Sequence, residues 1–366
     1  MTTSAYHLHG VMVESGQPTD LWIVGDTLTY DKVPGATTLV EDGWILPGLV
    51  DAHCHIGLGP EGPVDQDVAE SQGHEDLNAG VTLVRDAGSP IDTHWLDGRT
   101  DVPRIIRAGR HVARTRRYLR GYAVEVDPED LVETVRLQAR AGDGWVKLVG
   151  DWIDRNVGDL APSWPVDIMA QAVQAAHEEG ARVTAHCFGE ESVYHLVRAG
   201  IDCIEHGCGL DQSTVDEMVS RRVALVPTLD NLNIFPGIAD QAEDKFPVYA
   251  AHMRDLYRRR RETMTMAIDA GVQVYAGSDA GGIRSHGSVI EEISALSEVG
   301  GAEFALGAAA WRARTWLGEP SLEEGAPADL IVAPADPRQD VSVLSNLSLV
   351  VRSGSLAAGP VSITVR

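Results

Sequence analysis

Between Trp44 and Ser278 the chain repeats one unit, a short apolar run followed by a segment of helix length. The runs are Trp44 to Asp51, Val81 to Arg85, Arg104 to Ala108, Trp145 to Val149, Arg182 to His186, Asp202 to His206, Val223 to Thr228 and Gln273 to Ser278. Strands that alternate with helices are joined by crossovers, which makes neighbours parallel and buries them on both faces. Eight such units predict an α/β fold of the (β/α)8 TIM barrel type, which occupies about 250 residues as one domain. The segments between the runs read as helices. Val166, Met169, Ala170, Val173, Ala176 and His177 recur at helical spacing behind Pro165, Gly180 ends the pattern, and residues 287–299 and 302–317 follow the same period.

The ends of the 366-residue chain have a different texture. Tyr6 to Val13, Asp20 to Val24, Asp329 to Pro334 and Leu347 to Gly354 read as strands broken by turns. Residues 1–46 and 320–366 are therefore expected to form a small β-sandwich from both termini, with 47–319 as the barrel. A net charge of −24 opposes binding to nucleic acid or to acidic membrane surfaces. The first residues carry neither a basic nor an apolar leader region, and no run approaches the ~18 apolar residues of a membrane span, so a cytoplasmic location is expected. Cys54, Cys187, Cys203 and Cys208 form no Cys-x-x-Cys pair and read as small core residues.

Barrel active sites form where the strands end, so polar residues that close apolar runs are the candidates. The first run closes in Asp51-Ala52-His53-Cys54-His55, and the period of two in a strand points both imidazoles the same way, as one metal ion requires. The bland alternative is a pair of histidines held by hydrogen bonds. His186 and His206 close two further runs, and the eighth delivers Asp279 among Gly277, Gly281 and Gly282, where backbone and substrate can approach closely.

Pro47-Gly48-Leu49-Val50-Asp51-Ala52-His53-Cys54-His55, the two strand-end histidines and Gly277-Ser278-Asp279-Ala280-Gly281 resemble the amidohydrolase superfamily, in its order and over nearly the whole chain. Thr82 to Gly88, Ile204 to Gly207, Val226 to Leu229 and Gly325 to Leu330 are similar to its prolidase-like dipeptidase and carboxypeptidase branch, which has relatives near imidazolonepropionase. The resemblance implies two divalent metal ions, with zinc favoured over manganese, cobalt or iron. It places His53, His55, Lys147 and Asp279 on the deeper ion, and Lys147, His186 and His206 on the outer one. Lys147 would bridge them after reacting with carbon dioxide; its neighbours Trp145, Val146, Leu148 and Val149 disfavour the ammonium and leave the amine that carboxylation needs. The alternative for Lys147 is an ion pair with Asp151.

The implied reaction is hydrolysis of an amide, peptide or ester bond by a metal-bridging hydroxide, with Asp279 as general base and acid. A mononuclear deaminase or imidazolonepropionase-like hydrolase, a lactonase or phosphotriesterase, and a catalytically dead scaffold are the rivals. The deaminase reading lacks its usual glutamate, since Cys187, Phe188 and Gly189 follow His186. His286 is a further catalytic candidate, or else a surface loop residue. Arg114, Arg116, Arg117 and Tyr118, in the dense basic run Arg114 to Arg120, are expected either to clamp a substrate carboxylate or to form a solvated face. Trp152 is a candidate apolar wall. A small-molecule substrate and a homo-oligomer are expected.

Overall fold

The computed structural model describes residues 5–357; residues 1–4 and 358–366, which belong to the expected terminal segments, lie outside the described residues. The eight expected runs are all strands: Leu49–Cys54, Val81–Asp86, Arg104–Arg107, Trp145–Val149, Arg182–Cys187, Cys203–His206, Ala224–Val226 and Gln273–Val274. The first three form one parallel ladder. The other five lie side by side, also parallel, in a second ladder extended at its edge by Val112–Arg114 and Val124–Val126.

The two ladders do not merge into one closed ring of strands. Single backbone hydrogen bonds cross the gaps. Ala52 N donates to the Ala276 carbonyl (2.8 Å) and Asp279 N to that of His53 (2.7 Å), while Asp143 N reaches the Arg107 carbonyl (2.8 Å). The eighth strand is shorter than expected because the Ala276 amide turns to the Ala308 carbonyl (3.1 Å) instead of its ladder neighbour. At the same place the expected helix 302–317 breaks into Ala302–Ala309 and Trp311–Leu317.

The first expected run also divides. Trp44–Pro47 pairs with Leu330–Ala333 and Ala5–Met12, and the chain joins the parallel ladder only after Gly48. Both chain ends thus meet in one sheet of eight strands. Leu8, Leu21, Ile23, Ile45, Leu330 and Val332 belong to its own buried apolar cluster, separate from the main core. All four cysteines are buried and free, and no helix among the described residues is long and apolar enough to cross a membrane.

Gly48 is the crossing point between the two sheets. A Cβ there would overlap the Thr82 side chain, and the Gly48 carbonyl and Thr82 hydroxyl both accept from the buried Arg314 guanidinium. Overpacking of this kind costs about 1–3 kcal/mol. Gly48→Ala is expected to lower the midpoint of denaturant unfolding accordingly, and an unchanged midpoint would show that the crossing tolerates a side chain.

Candidate metal centre

Because parallel strands all end on one face, the residues that close them converge. His53 Nε2 lies 3.2 Å from His55 Nε2, 3.3 Å from Lys147 Nζ and 3.2 Å from Asp279 Oδ1. His55 Nε2 is 3.2 Å from the same Asp279 oxygen. The His206 ring centroid lies 5.3 Å from that of His53 and 4.7 Å from that of His186. His53, His206 and Asp279 each bring a donor atom within 4.8 Å of the others. All six sequence-derived candidates therefore meet in one cluster.

The outward ring nitrogens are occupied. His55 Nδ1 donates to the Gly88 carbonyl (2.8 Å), His53 Nδ1 to Glu205 (2.7 Å), and His206 Nδ1 pairs with the Thr228 hydroxyl (2.7 Å). A proton on Nδ1 leaves the Nε2 lone pair of His53 and His55 free to face inward. Burial holds His55, His186 and His206 neutral, His206 down to about 3. Burial likewise pushes the Lys147 ammonium toward the free amine. It would raise the Asp279 carboxyl, but His53 and His55 outweigh it and keep the group ionised. At His53 burial is outweighed by Glu205 and Asp279, which raise its pKa, so the cluster comprises three neutral imidazoles, His53, an ionised carboxylate and an amine whose charge burial opposes, a donor set that fits divalent cations.

Lys147 is not paired with Asp151. That carboxylate faces the next strand's end, where it accepts from Phe188 N (3.0 Å) and Gly189 N (2.6 Å). Several contributors escaped the sequence reading. Glu205 accepts from His53, from Thr184 and from Arg85 (2.6 Å), and Asn231 donates to Asp279 Oδ2 (2.6 Å). Burial would push the Glu205 carboxyl up, yet Arg85 and then His53 hold it well below the ordinary range. His111 is buried and stacks on His55 at 5.3 Å. A polar residue just beyond the third strand was the signal for it. Gly277 answers a close approach, since a Cβ there would meet the backbone and Cβ of His53.

The rim is aromatic. The Tyr118 centroid lies 4.9 Å from that of Trp152 and 5.7 Å from His186, and Trp152 lies 5.6 Å from His186. Arg117 is committed to Asp154 (2.7 Å) and to the carbonyls of Trp152 and Ala161 in the hairpin Asp151–Asp154/Asp159–Pro162. Arg114 donates to the Ser163 carbonyl (3.1 Å), and Arg116 is exposed with its amide on Glu125. His286 is neither at the surface nor in contact with the six. It is buried, with Nδ1 on Asp76 of the helix Gln66–Asn78 (2.8 Å), which ties the loop after Asp279 to that helix.

Strand-end histidines and a carboxylate converging on one face of a parallel α/β scaffold define a hydrolase class, and the chain belongs to it: the amidohydrolase family matches residues 44–357. This is a generally metal-dependent family of hydrolases acting on C–N bonds. An uncharacterized protein of Mycobacterium tuberculosis is 52% identical over 350 residues, covering 95% of this chain and 94% of that protein. Ochratoxinase of Aspergillus niger is 23% identical over 86% of this chain and 76% of its own, and its crystal structure superposes with a TM-score of 0.80 at 19% identity over 98% and 96% of the two chains. The crystal structure of a Xaa-Pro dipeptidase with methionine bound in the active site matches with a TM-score of 0.79 at 23% identity, over 98% of this chain and all of that one.

The outward partner of His53 yields a test. Partners of this kind change metal affinity by about 10- to 100-fold. Glu205→Gln is expected to weaken zinc binding to the metal-free protein by that factor in competition with a chromophoric chelator; equal affinity would reduce Glu205 to a packing role.

Proposed function

We propose that the protein hydrolyses the amide bond of a small substrate bearing a carboxylate, a dipeptide or an N-acyl amino acid, at a centre of two zinc ions in the mouth of a (β/α)8 barrel. The observation that carries this reading is the approach of His55, Lys147 and Asp279 to within 3.3 Å of His53 Nε2, with His186 and His206 ring to ring beside them. His53, His55, Lys147 and Asp279 would hold the deeper ion, and Lys147, His186 and His206 the outer one. Ions so held supply Lewis acidity toward a carbonyl and lower the pKa of water toward about 7.

The chain's own groups complete the reaction. The buried Lys147 amine adds to carbon dioxide, forming an N–C bond and losing one proton, and the resulting carboxylate offers two oxygens where one nitrogen stood. Asp279, steadied by Asn231, takes the proton of the attacking water and passes it to the leaving nitrogen. Gly88 and Glu205 keep His55 and His53 in the tautomer that presents Nε2. Tyr118 and Trp152 form an apolar wall over the outer position and exclude water. Arg114, half-buried beside that wall with one guanidinium nitrogen on Ser163, is the partner for the substrate carboxylate.

The ladder-crossing hydrogen bonds of the first strand support closure of the barrel. The dipeptidase among the similar structures and the ochratoxinase relative both support amide over phosphoester chemistry.

Metal analysis of the purified protein is expected to give about two equivalents per chain; about one would favour a mononuclear, deaminase-like enzyme. In a panel of Xaa-Pro dipeptides, N-acyl amino acids, lactones and aryl phosphotriesters, turnover is expected for the first two classes. Lys147→Ala is expected to abolish it and small carboxylic acids to restore part of it, whereas a fully active variant would remove the bridge. Asp279→Asn is expected to lower kcat by at least about 100-fold with the fold intact, and unchanged turnover would exclude it as proton carrier.

A further inference from the structure

The alternation that delivers His53 and His55 to one side of a strand occurs a second time, in the sheet built from the chain ends. His7 and His9 flank Leu8 in the strand Ala5–Met12. Leu8 is sealed in the apolar cluster of that sheet, so the period of two sends both imidazoles to the outer face. The antiparallel neighbour Gln17–Val24 sets Asp20 opposite His9 and Trp22 opposite His7. Both rings reach the same atom: His7 Nε2 lies 2.8 Å and His9 Nδ1 3.1 Å from Asp20 Oδ1.

Two ligands that each stand about 2.0–2.1 Å from a tetrahedral zinc ion lie about 3.3 Å apart, so these imidazole–carboxylate distances are already close to those of a shared ion. The ring of His7 is fixed from behind. Its Nδ1 meets the Thr38 hydroxyl at 3.1 Å on the parallel neighbour Thr37–Val40, and it stacks on Trp22 at 4.8 Å. A hydroxyl donates or accepts, so Thr38 serves the tautomer with a free Nε2 lone pair as well as the one that hydrogen-bonds Asp20, and supplies the outer partner that ligating histidines commonly have. The side chains of His7, His9 and Asp20 are 20%, 48% and 52% exposed, which gives an ion a direct path from solvent. A net charge of −24 draws cations to the surface. We infer that His7, His9 and Asp20 form a surface binding site for a divalent transition metal, with two imidazole nitrogens and one carboxylate oxygen as ligands and water completing the coordination. An ion held there staples the strand Ala5–Met12 to Gln17–Val24.

The site shares no residue with the proposed metal centre and stands apart from the proposed reaction. An exposed site with three protein ligands exchanges its ion with buffer, so purified protein keeps only the ions of the centre and the additional one enters on titration. Equilibrium dialysis of the full chain against zinc tests this: the parent is expected to bind one equivalent more than His9→Gln, in a saturable step that the variant weakens at least about tenfold, the least that loss of even an outer partner of a ligand costs. Asp20→Asn, which keeps the shape and a hydrogen-bond acceptor, is expected to act likewise, and it decides the matter should His9→Gln fail to fold. The difference of one equivalent is read whatever number the buried centre holds, and zinc taken up by other surface groups is indifferent to both substitutions. Equal uptake by the parent and the folded variants, or no saturable step beyond the centre up to about 100 μM zinc, would overturn the assignment.

Discussion

A guanidinium and a carboxylate, both with no exposed side-chain surface, face each other in the middle of the parallel strands. Arg85 Nη2 meets Glu205 Oε1 at 2.6 Å, and its Nε reaches the Ala52 carbonyl at 2.7 Å. Taking two charges out of water is expensive, and the attraction between them repays it only when the remaining donors and acceptors are met. Here Glu205 uses its second oxygen on His53 and also accepts from Thr184, which meets the carboxylate, while Arg85 Nη1 has no acceptor among the described residues and the Trp145 and Trp316 rings lie against the guanidinium at 4.6 and 5.0 Å. One ion pair thereby ties the first, second, fifth and sixth strands together and sets the tautomer of a histidine. Losing one partner of a buried pair costs about 3–5 kcal/mol, so register and site geometry are enforced by the same bond.

The backbone at the strand ends follows from the same convergence. His206, Thr228 and Asp279 all have positive φ, at 68°, 45° and 58°, a region that costs residues with a Cβ about 1–3 kcal/mol each. In regular extended backbone Glu205 and His206 would face opposite sides of the sheet. With His206 turned into the left-handed region, both side chains reach His53. The strain is held by neighbouring contacts, among them the Asp279 amide on the His53 carbonyl and His206 on Thr228.

This turn also marks where the sequence stops being legible. His53 and His55 were readable because strand alternation alone puts them on one side, and the strand-end positions of His186, His206 and Asp279 needed nothing beyond the βα period. Lys147 sits in an unbroken apolar run, so its chemistry came from the resemblance and its freedom from Asp151 only from the fold. Glu205 was hidden by its neighbour, since alternation assigns the two to different faces and the positive φ of His206 is not written in the residue. The split at Gly48 was invisible because Trp44 to Asp51 is one apolar run serving two sheets. The partner of Arg85 was illegible for another reason, since it lies 120 positions away on a different strand.

The basic run Arg114 to Arg120 shows how tertiary contact decides what a charged segment does. Read along the chain it is a cluster of cations available to an anion; in the fold the half-buried Arg117 gives Nη1 to Asp154 and Nη2 to two hairpin carbonyls, and only its Nε lacks an acceptor among the described residues. The consequence is structural rather than electrostatic: the loop bearing Tyr118 and the hairpin bearing Trp152 are clamped together, and their rings meet at 4.9 Å above His186. A clamp made of three donor contacts resists separate movement of its two halves, so any widening of the rim must move hairpin and loop as a unit. The shape of the space over His186 is then a property of how Arg117 is bonded, and of the two half-buried arginines of the run Arg114 alone has no carboxylate partner among the described residues.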